Sequence, residues 1–115
     1  MTFEQALRSC FSQYAHDQGR AGRSEYWWWV LFTIGVALVA GILDEGLGGG
    51  VFGLLSALAL FLPGLAVTIR RLHDIDTSGW WVLIGLIPLV GTVVLLLWTV
   101  RPGTPGPNRY GPPVV

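Results

Sequence analysis

Two long apolar runs flank the stretch Ile69-Arg70-Arg71-Leu72-His73-Asp74, which is followed closely by Ser78-Gly79-Trp80-Trp81. Three ionisable side chains and a histidine are gathered in this stretch, although 52% of the 115 residues are hydrophobic and only 12% are charged. A soluble domain usually carries about twice that share of charged residues. The polar stretch therefore marks where the chain leaves one apolar segment and enters the next.

The apolar residues form runs at residues 26–43, 51–69 and 80–100. Each run reaches or approaches the roughly 20 residues that a helix needs to cross a bilayer. Helices of soluble proteins keep a polar face, whereas these runs are apolar all round. We therefore predict one membrane domain over residues 1–115, an all-α integral membrane helical bundle with three spans, and the lipid bilayer is its first partner.

Residues 1–23 are predicted to form a short amphipathic helix and a loop, because Phe3, Leu7 and Cys10 recur at helical spacing. Thr2 and Gln5 fit a capping box. Two placements for this helix stay open: in the membrane interface, or packed on the ends of the spans. Ser24 is predicted to be the N-cap of the first span, with Glu25 in its first turn.

Two features of the next segments predict their geometry. Residues 44–50 make a short acidic connector, so the first two spans should form an antiparallel hairpin. Pro63 lacks a backbone N–H and crowds the carbonyl of Ala59, which predicts a kink in the second span.

The third segment, residues 80–100, contains Pro88-Leu89-Val90-Gly91 at its centre. Its length favours a full crossing. We predict three spans, the third kinked at Pro88–Gly91, and a re-entrant hairpin is the alternative. The arginines predict a cytoplasmic N-terminus in both cases, because basic residues concentrate inside. Three crossings leave Arg101 and Arg109 outside, whereas re-entry leaves all seven arginines inside.

The polar stretch after the second span should meet the loop before the first span, at the same face of the membrane. On a helix, Arg70 lies four residues from Asp74 and Arg71 three, so these side chains can pair. We also expect Glu25 to neutralise Arg70 or Arg71 across the helix interface. The structural interpretation is an ion-pair cluster that fixes topology and organises the bundle or a partner. Its residues are Glu25, Arg70, Arg71 and Asp74.

Two functional hypotheses use the same residues. Arginines near a membrane boundary are suited to an anion such as a lipid phosphate. The ligand-binding candidates are Arg20, Arg23, Arg70, Arg71 and His73. The second hypothesis is a membrane enzyme in which His73 and Asp74 act as acid and base. We lean towards a protein that is not an enzyme, and no residue is assigned as catalytic.

Composition and motifs exclude several other classes. The net charge is zero, which gives no electrostatic basis for nucleic-acid binding. A lone cysteine, Cys10, and a distant His16 make no metal site, and no motif calls for a cofactor. Residues 101–115 are rich in Pro and Gly, so a polar, extended tail is expected. Alternatively, Arg109 and Tyr110 fold back on the bundle.

Three sequence blocks carry a resemblance to a known family. They are Gly19-Arg20-Ala21-Gly22-Arg23-Ser24-Glu25-Tyr26-Trp27, then the Arg70–Asp74 and Ser78–Trp81 stretches, then Gly103-Thr104-Pro105-Gly106-Pro107-Asn108-Arg109-Tyr110-Gly111-Pro112. In this order they resemble the domain of unknown function 805 family, the YhaH-like bacterial inner-membrane proteins. The resemblance implies a multi-pass protein of the bacterial plasma membrane and transfers no reaction. Three short spans bury little surface, so the expected partners are a second copy or a larger membrane protein.

Overall fold

The computed structural model describes residues 2–14 and 18–112, and its regular elements there are all helical, as predicted. A 3-10 helix lies between the third and fourth α-helices. The elements are α1 (Phe3–Ser12), α2 (Arg23–Leu47), α3 (Val51–Asp74), the 3-10 helix (Gly79–Leu86) and α4 (Val90–Val100).

Helix α1 begins with the predicted capping box. The Thr2 hydroxyl accepts from the Gln5 N–H at 3.2 Å, and the Gln5 side chain accepts from the Thr2 N–H at 3.0 Å. The helix then packs along the first turns of α2, where Phe3 meets Trp28 with ring centroids 5.5 Å apart. This contact agrees with the packed placement. The interfacial placement stays a prediction.

Helices α2 and α3 form the predicted antiparallel hairpin. Asp44, near the end of α2, accepts hydrogen bonds from the N–H groups of Phe52 and Gly53, both at 2.8 Å. Its carboxylate thereby caps the free N–H groups at the start of α3. The predicted N-cap at Ser24 is wrong. Gly22 holds that position in an extended conformation, so Ser24 lies inside the first turn.

Helix α3 runs from Val51 through Pro63 to Asp74 without interruption. Proline cannot donate to the carbonyl four residues earlier, which here belongs to Ala59. The Tyr14 hydroxyl donates to that carbonyl instead. The chain after α1 therefore satisfies the acceptor that Pro63 leaves without its helical donor.

The structure folds the predicted third span into a hairpin of two helical arms instead of one kinked helix. The Val90 N–H donates to the Pro88 carbonyl at 2.7 Å, and Leu89 has φ 65° and ψ −64°, which is a γ-turn. The chain reverses there because Pro88 cannot continue the hydrogen-bond ladder. Gly91 then lies against the 3-10 helix so closely that a Cβ would overlap the Ile84 carbonyl oxygen.

The two arms of this hairpin run antiparallel and end together. Trp81 meets Trp98 with ring centroids 6.0 Å apart. At the start of the hairpin, Gly79 lies against Ile69, and at its end the Thr99 carbonyl accepts from Arg71 at 3.1 Å. Both ends therefore lie beside the last turns of α3.

The hairpin brings basic and aromatic residues to one end of the molecule, which we call the arginine-rich end. It comprises α1, the start of α2, the end of α3, both ends of the hairpin and the tail. All seven arginines lie there: Arg8, Arg20, Arg23, Arg70, Arg71, Arg101 and Arg109. So do all six tryptophans: Trp27, Trp28, Trp29, Trp80, Trp81 and Trp98. The opposite end carries Asp44 and Glu45.

Only α2 and α3, among the described residues, are long and apolar enough to cross a membrane. Just 6% and 17% of their most apolar 18-residue windows are buried in the molecule. A core helix of a soluble protein buries its apolar stripe, so these two helices do not have that role. The buried core lies near the arginine-rich end, and includes Cys10, Ala21, Trp29 and Val67.

Candidate functional site

The centre of the candidate site is Asp74, the last residue of α3. Its Oδ1 accepts from Arg20 Nε at 2.9 Å, and its Oδ2 accepts from Arg71 Nη1 at 2.6 Å. All three side chains are at most 4% exposed. A buried carboxylate needs charged or hydrogen-bonded partners, and here each of its oxygens has an arginine.

Arg20 uses its whole guanidinium group inside the protein. Besides the Nε bond to Asp74, Nη2 donates to the Asp74 and Thr104 carbonyls at 3.3 and 2.7 Å. Nη1 donates to the carbonyls of Gly106 and Gly111 at 2.9 and 3.2 Å. A guanidinium has five N–H donors, so none is left over. Arg20 thus ties the loop before α2 to the C-terminal tail.

Arg71 makes a similar connection to the hairpin. Its Nε donates to the Thr99 carbonyl at 3.1 Å, Nη1 reaches the Ala21 carbonyl at 3.4 Å, and Nη2 donates to the Arg101 carbonyl. Carbonyls at the end of a helix lack intrahelical donors. Arg71 supplies donors to those at the end of α4, and so joins α3 to the hairpin.

A second ion pair joins α2 to α3. Glu25 Oε2 accepts from Arg70 Nη1 at 2.8 Å, and both side chains are at most 3% exposed. The same oxygen accepts from the Ser9 hydroxyl at 2.8 Å, and the Cys10 thiol points to it at 3.7 Å. Helix α1 is therefore attached to the same pair. Arg70 Nε and Nη2 are buried and have no hydrogen-bond partner among the described residues.

Burial changes the chemistry of Cys10. Desolvation, followed by the negative charge of Glu25, raises the pKa of its thiol from 9.0 to about 12. Reactive cysteines need the opposite shift, towards thiolate. Cys10 is therefore a small apolar core residue with a weak thiol donor.

His73 is held by the loop before α2 and by the tail. Its Nδ1 lies 2.9 Å from the Gly19 carbonyl oxygen, and because a carbonyl only accepts, Nδ1 is the donor. Its ring stacks on Tyr110, with centroids 3.8 Å apart and planes 2° from parallel. The backbone carbonyl of His73 accepts from the Asn108 side chain at 2.9 Å.

The C-terminal tail is folded onto the end of α3 rather than extended into solvent. The Thr104 N–H donates to the Asp74 carbonyl at 2.7 Å. Gly103 lies so close to the Asp74 carboxylate that a Cβ would overlap its atoms. Residues 101–112 thus take the fold-back alternative, while residues 113–115 of the predicted tail lie outside the described residues.

The tail also makes an exposed ion pair with the turn after α3. Arg109 Nε donates to Asp76 Oδ1 at 3.2 Å, and Nη2 donates to the Asp76 carbonyl at 2.8 Å. The carboxylate raises the pKa of Arg109, first through this hydrogen bond and then through its charge. The guanidinium lies 5.4 Å from the Tyr110 ring centroid, within cation–π range.

Arg23 is the predicted candidate that stays exposed at the edge of the site. It begins α2 and is exposed, and it forms no ion pair with a residue that the structure describes. The other six predicted residues, Arg20, Glu25, Arg70, Arg71, His73 and Asp74, lie together and are buried. We call these six the buried polar cluster.

The contacts limit the chemistry that the buried polar cluster can perform. Arg20 has no donor left for an added anion, and Asp74 has no oxygen without an arginine. His73 uses Nδ1 for a backbone contact. Within the described ranges, no three His, Cys, Asp or Glu residues lie together as metal ligands, and His16 falls outside those ranges.

Several groups that contact the buried polar cluster could not be identified from the sequence. The carbonyls of Thr99, Arg101 and Thr104 are backbone groups, so their residue types are uninformative. Ser9 and Cys10 reach Glu25 from another helix. Gly103 offered a usable signal, since a glycine in a polar tail is consistent with a close backbone approach.

Residues 14–112 match the model of the family described as "Protein of unknown function (DUF805)". The matched region includes α2, α3, the hairpin and the folded tail, and so the whole buried polar cluster. The chain belongs to the DUF805 family. The three blocks that carry the resemblance contain all six residues of the cluster.

The chain is similar to several proteins of Escherichia coli. The chain is 42% identical over 105 residues to inner membrane protein YhaH of strain K12, covering 86% of this chain and 87% of that protein. It is 44% identical over 108 residues to inner membrane protein YhaI, covering 90% and 89%. Uncharacterized protein YiiR is 29% identical over 90 residues, 75% of this chain and 58% of YiiR. No solved structure matches the chain.

Proposed function

We propose that this DUF805 protein is a multi-pass protein of the bacterial inner membrane, in which α2 and α3 cross the bilayer as a hairpin. With about 1.5 Å of rise per residue, each helix is about 36 Å long, enough for a hydrocarbon core of about 30 Å. Their exposed apolar surfaces suit lipid. The names of YhaH and YhaI support the inner membrane as the location.

In this proposal the hairpin of the 3-10 helix and α4 enters the membrane from one side and leaves on the same side. The 3-10 helix rises about 16 Å, and α4 about 16 Å, so the hairpin reaches roughly half-way across. Non-helical backbone at that depth is tolerated where protein covers it. Gly91 packs directly on the Ile84 carbonyl. Leu86, Leu89 and Val90 around the turn are exposed in the single chain, so a second copy or a larger membrane protein would have to cover the turn.

The arginine-rich end is cytoplasmic in this proposal. Basic residues are retained inside, and all seven arginines lie at this one end. The six tryptophans would lie at the adjacent headgroup level, where aromatic belts form. The N-terminal helix and the folded tail are then both cytoplasmic.

The role we infer is structural rather than enzymatic. The observation that carries it is the complete use of Arg20: all its donors hold the loop before α2, the end of α3 and the tail together. Such a cluster builds a fixed cytoplasmic face on a small membrane hairpin. That face, or the lipid-facing surface of the spans, is available to a second copy or to a larger membrane protein.

The anion hypothesis finds less support at the cluster itself. Arg20 and Arg71 are saturated or nearly so, and Arg70 is buried beside Glu25. The enzyme hypothesis has His73 and Asp74 already committed to internal contacts. The first arrangement does not favour anion binding, and the second does not favour catalysis.

Complementation of a deletion strain tests the structural role. His73→Phe keeps a ring to stack on Tyr110 and removes both nitrogens. It gives up the Nδ1 hydrogen bond to Gly19 but leaves the contacts of Arg20 with Asp74 and the tail, so a structural role predicts the wild-type phenotype. Arg20→Ala should fail to restore it, because the tail and loop come apart. Immunoblots of the membrane fraction check that His73→Phe is present at the wild-type level. Failure of His73→Phe at that level would favour the acid–base hypothesis and refute ours.

A further inference from the structure

A groove of about 770 Å³ lies between α3, the 3-10 helix and the tail, and borders the buried polar cluster at His73. Pockets that hold small ligands span roughly 300–1,000 Å³, so its size is suitable. Its deeper walls are apolar, with Leu65 and Ile69 on α3 and Val82 and Leu83 on the 3-10 helix. The residues Leu65, Ile69 and His73 follow one another at four-residue spacing, so they line one side of the groove.

The groove becomes polar towards the arginine-rich end. Gln18, Ser78 and Arg109 line it there, beside the stacked rings of His73 and Tyr110. The Ser78 hydroxyl accepts from the Trp80 N–H at 3.4 Å and keeps its own proton to donate. The groove therefore has the polarity of an amphiphile, with an apolar floor and a polar rim.

We propose that this groove binds an acidic phospholipid, with an acyl chain against Leu65, Ile69, Val82 and Leu83 and the phosphate beside Arg109. This inference rests on the proposed membrane placement, which puts the polar rim at the level of the lipid headgroups. It moves lipid recognition from the buried arginines of the buried polar cluster to an exposed residue.

Charge complementarity favours an acidic lipid over a zwitterionic one. Among the described residues, the arginine-rich end has seven arginines against four acids: Glu4, Glu25, Asp74 and Asp76. The opposite end has two acids, Asp44 and Glu45. An anionic headgroup is therefore attracted to the end where the groove is polar.

Arg109 is the arginine placed to contact the headgroup. Its side chain is 66% exposed. Nε and Nη2 donate to Asp76, whereas Nη1 has no hydrogen-bond partner among the described residues. The Tyr110 ring lies beside its guanidinium and the groove. Arg101 has the same charge in the same tail but does not line the groove, so it is a matched control.

The test measures lipid binding to the purified full chain by native mass spectrometry, with dioleoyl phosphatidylglycerol and dioleoyl phosphatidylethanolamine as probes. The wild-type protein should retain phosphatidylglycerol in preference to phosphatidylethanolamine. Arg109→Gln should weaken its binding roughly fivefold, the usual effect of one basic residue on an anionic lipid. Arg109→Lys should keep most of the preference, and Arg101→Gln should leave it unchanged.

A second pair of variants tests the groove itself. Val82→Trp fills the apolar floor and should reduce binding of phosphatidylglycerol, whereas Val93→Trp adds the same ring on the exposed face of α4 and should not. Equal binding of the two lipids to wild type would overturn the proposal. Equal losses in Arg109→Gln and Arg101→Gln would also overturn it. Absence of the wild-type protein from the membrane fraction would instead refute the membrane placement.

Discussion

Arg20 and Asp74 are separated by 54 residues in the sequence, yet Arg20 Nε donates to Asp74 Oδ1 at 2.9 Å, with side chains only 1% and 4% exposed. The pair closes the arginine-rich end: it joins the loop before α2 to the last residue of α3. Because Arg20 also binds three carbonyls of the tail, one side chain connects three segments.

Replacing Arg20 should be among the most damaging single changes. Arg20→Ala leaves the buried Asp74 with one arginine instead of two and leaves tail carbonyls without donors. Breaking one partner of a buried pair costs about 3–5 kcal/mol, and we expect a loss of that order in the free energy of unfolding. Denaturant titration of the purified protein, followed by circular dichroism, measures it.

Arg8→Ala is the matched control for that experiment. Arg8 also forms an ion pair, with Glu4, but the side chains are 77% and 79% exposed. Exposed pairs contribute about 0–1 kcal/mol. Similar losses in the Arg8 and Arg20 variants would contradict the importance we give to the buried pair.

The close approach of Gly103 to Asp74 predicts a local effect in the tail. Gly103→Ala places a methyl group where the carboxylate lies, so the tail should detach while the helices remain. Trypsin should then cleave after Arg109 faster than in wild type, and far-ultraviolet circular dichroism should not change. Pro105→Ala, at an exposed tail position, should keep the wild-type cleavage rate. Unchanged cleavage of the Gly103 variant would show that the tail is not held there.

Cys10 should react slowly with maleimides. With its pKa raised to about 12, less than about one thiol in a thousand is ionised at pH 8, and the side chain is buried. Raising the pH towards 12 should therefore speed labelling. The control is Ser12→Cys in a Cys10→Ser background, which places a thiol on an exposed position of the same helix and should label rapidly at pH 8. Equally fast labelling at both positions would mean that α1 does not pack on Glu25 and Arg70.

The Glu25–Arg70 pair should show strong coupling in a double-mutant cycle. Each single change, Glu25→Leu or Arg70→Met, leaves an uncompensated buried charge and should cost several kcal/mol. The double variant removes both charges, so it should be more stable than either single variant. Additive losses in unfolding free energy would indicate that the two side chains do not interact.

Much of the architecture follows from local patterns in the sequence. The capping box of α1 needs only Thr2 and Gln5, and the α2–α3 hairpin follows from two long apolar runs with a short connector. Glu25 lies at the start of the first predicted span and Arg70 at the end of the second, so the sequence places both at the same end of the hairpin. The structure brings them together as an ion pair. Such features depend on spacing along the chain, which a sequence displays directly.

The path of the third segment, by contrast, could not be predicted from the sequence. Length and composition of residues 80–100 are compatible with a crossing or a hairpin, and the outcome depends on the turn at Pro88 and Leu89 and on the contacts of the end of α4 with Arg71. Those contacts use backbone carbonyls, which every residue type offers. The same holds for the tail, whose carbonyls bind Arg20. Ser24 fails as a cap for a local reason, since the preceding Gly22 already takes the extended conformation.

The location of the C-terminus tests the central claim of a two-crossing protein with a re-entrant hairpin most directly. Fusions of green fluorescent protein and of alkaline phosphatase to the C-terminus, each expressed in a Gram-negative host, report the cytoplasm and the periplasm respectively. We predict a fluorescent first fusion and an inactive second one, with alkaline phosphatase active when fused after Gly49 in the α2–α3 connector. An active phosphatase at the C-terminus, with a dark fluorescent-protein fusion, would contradict the account.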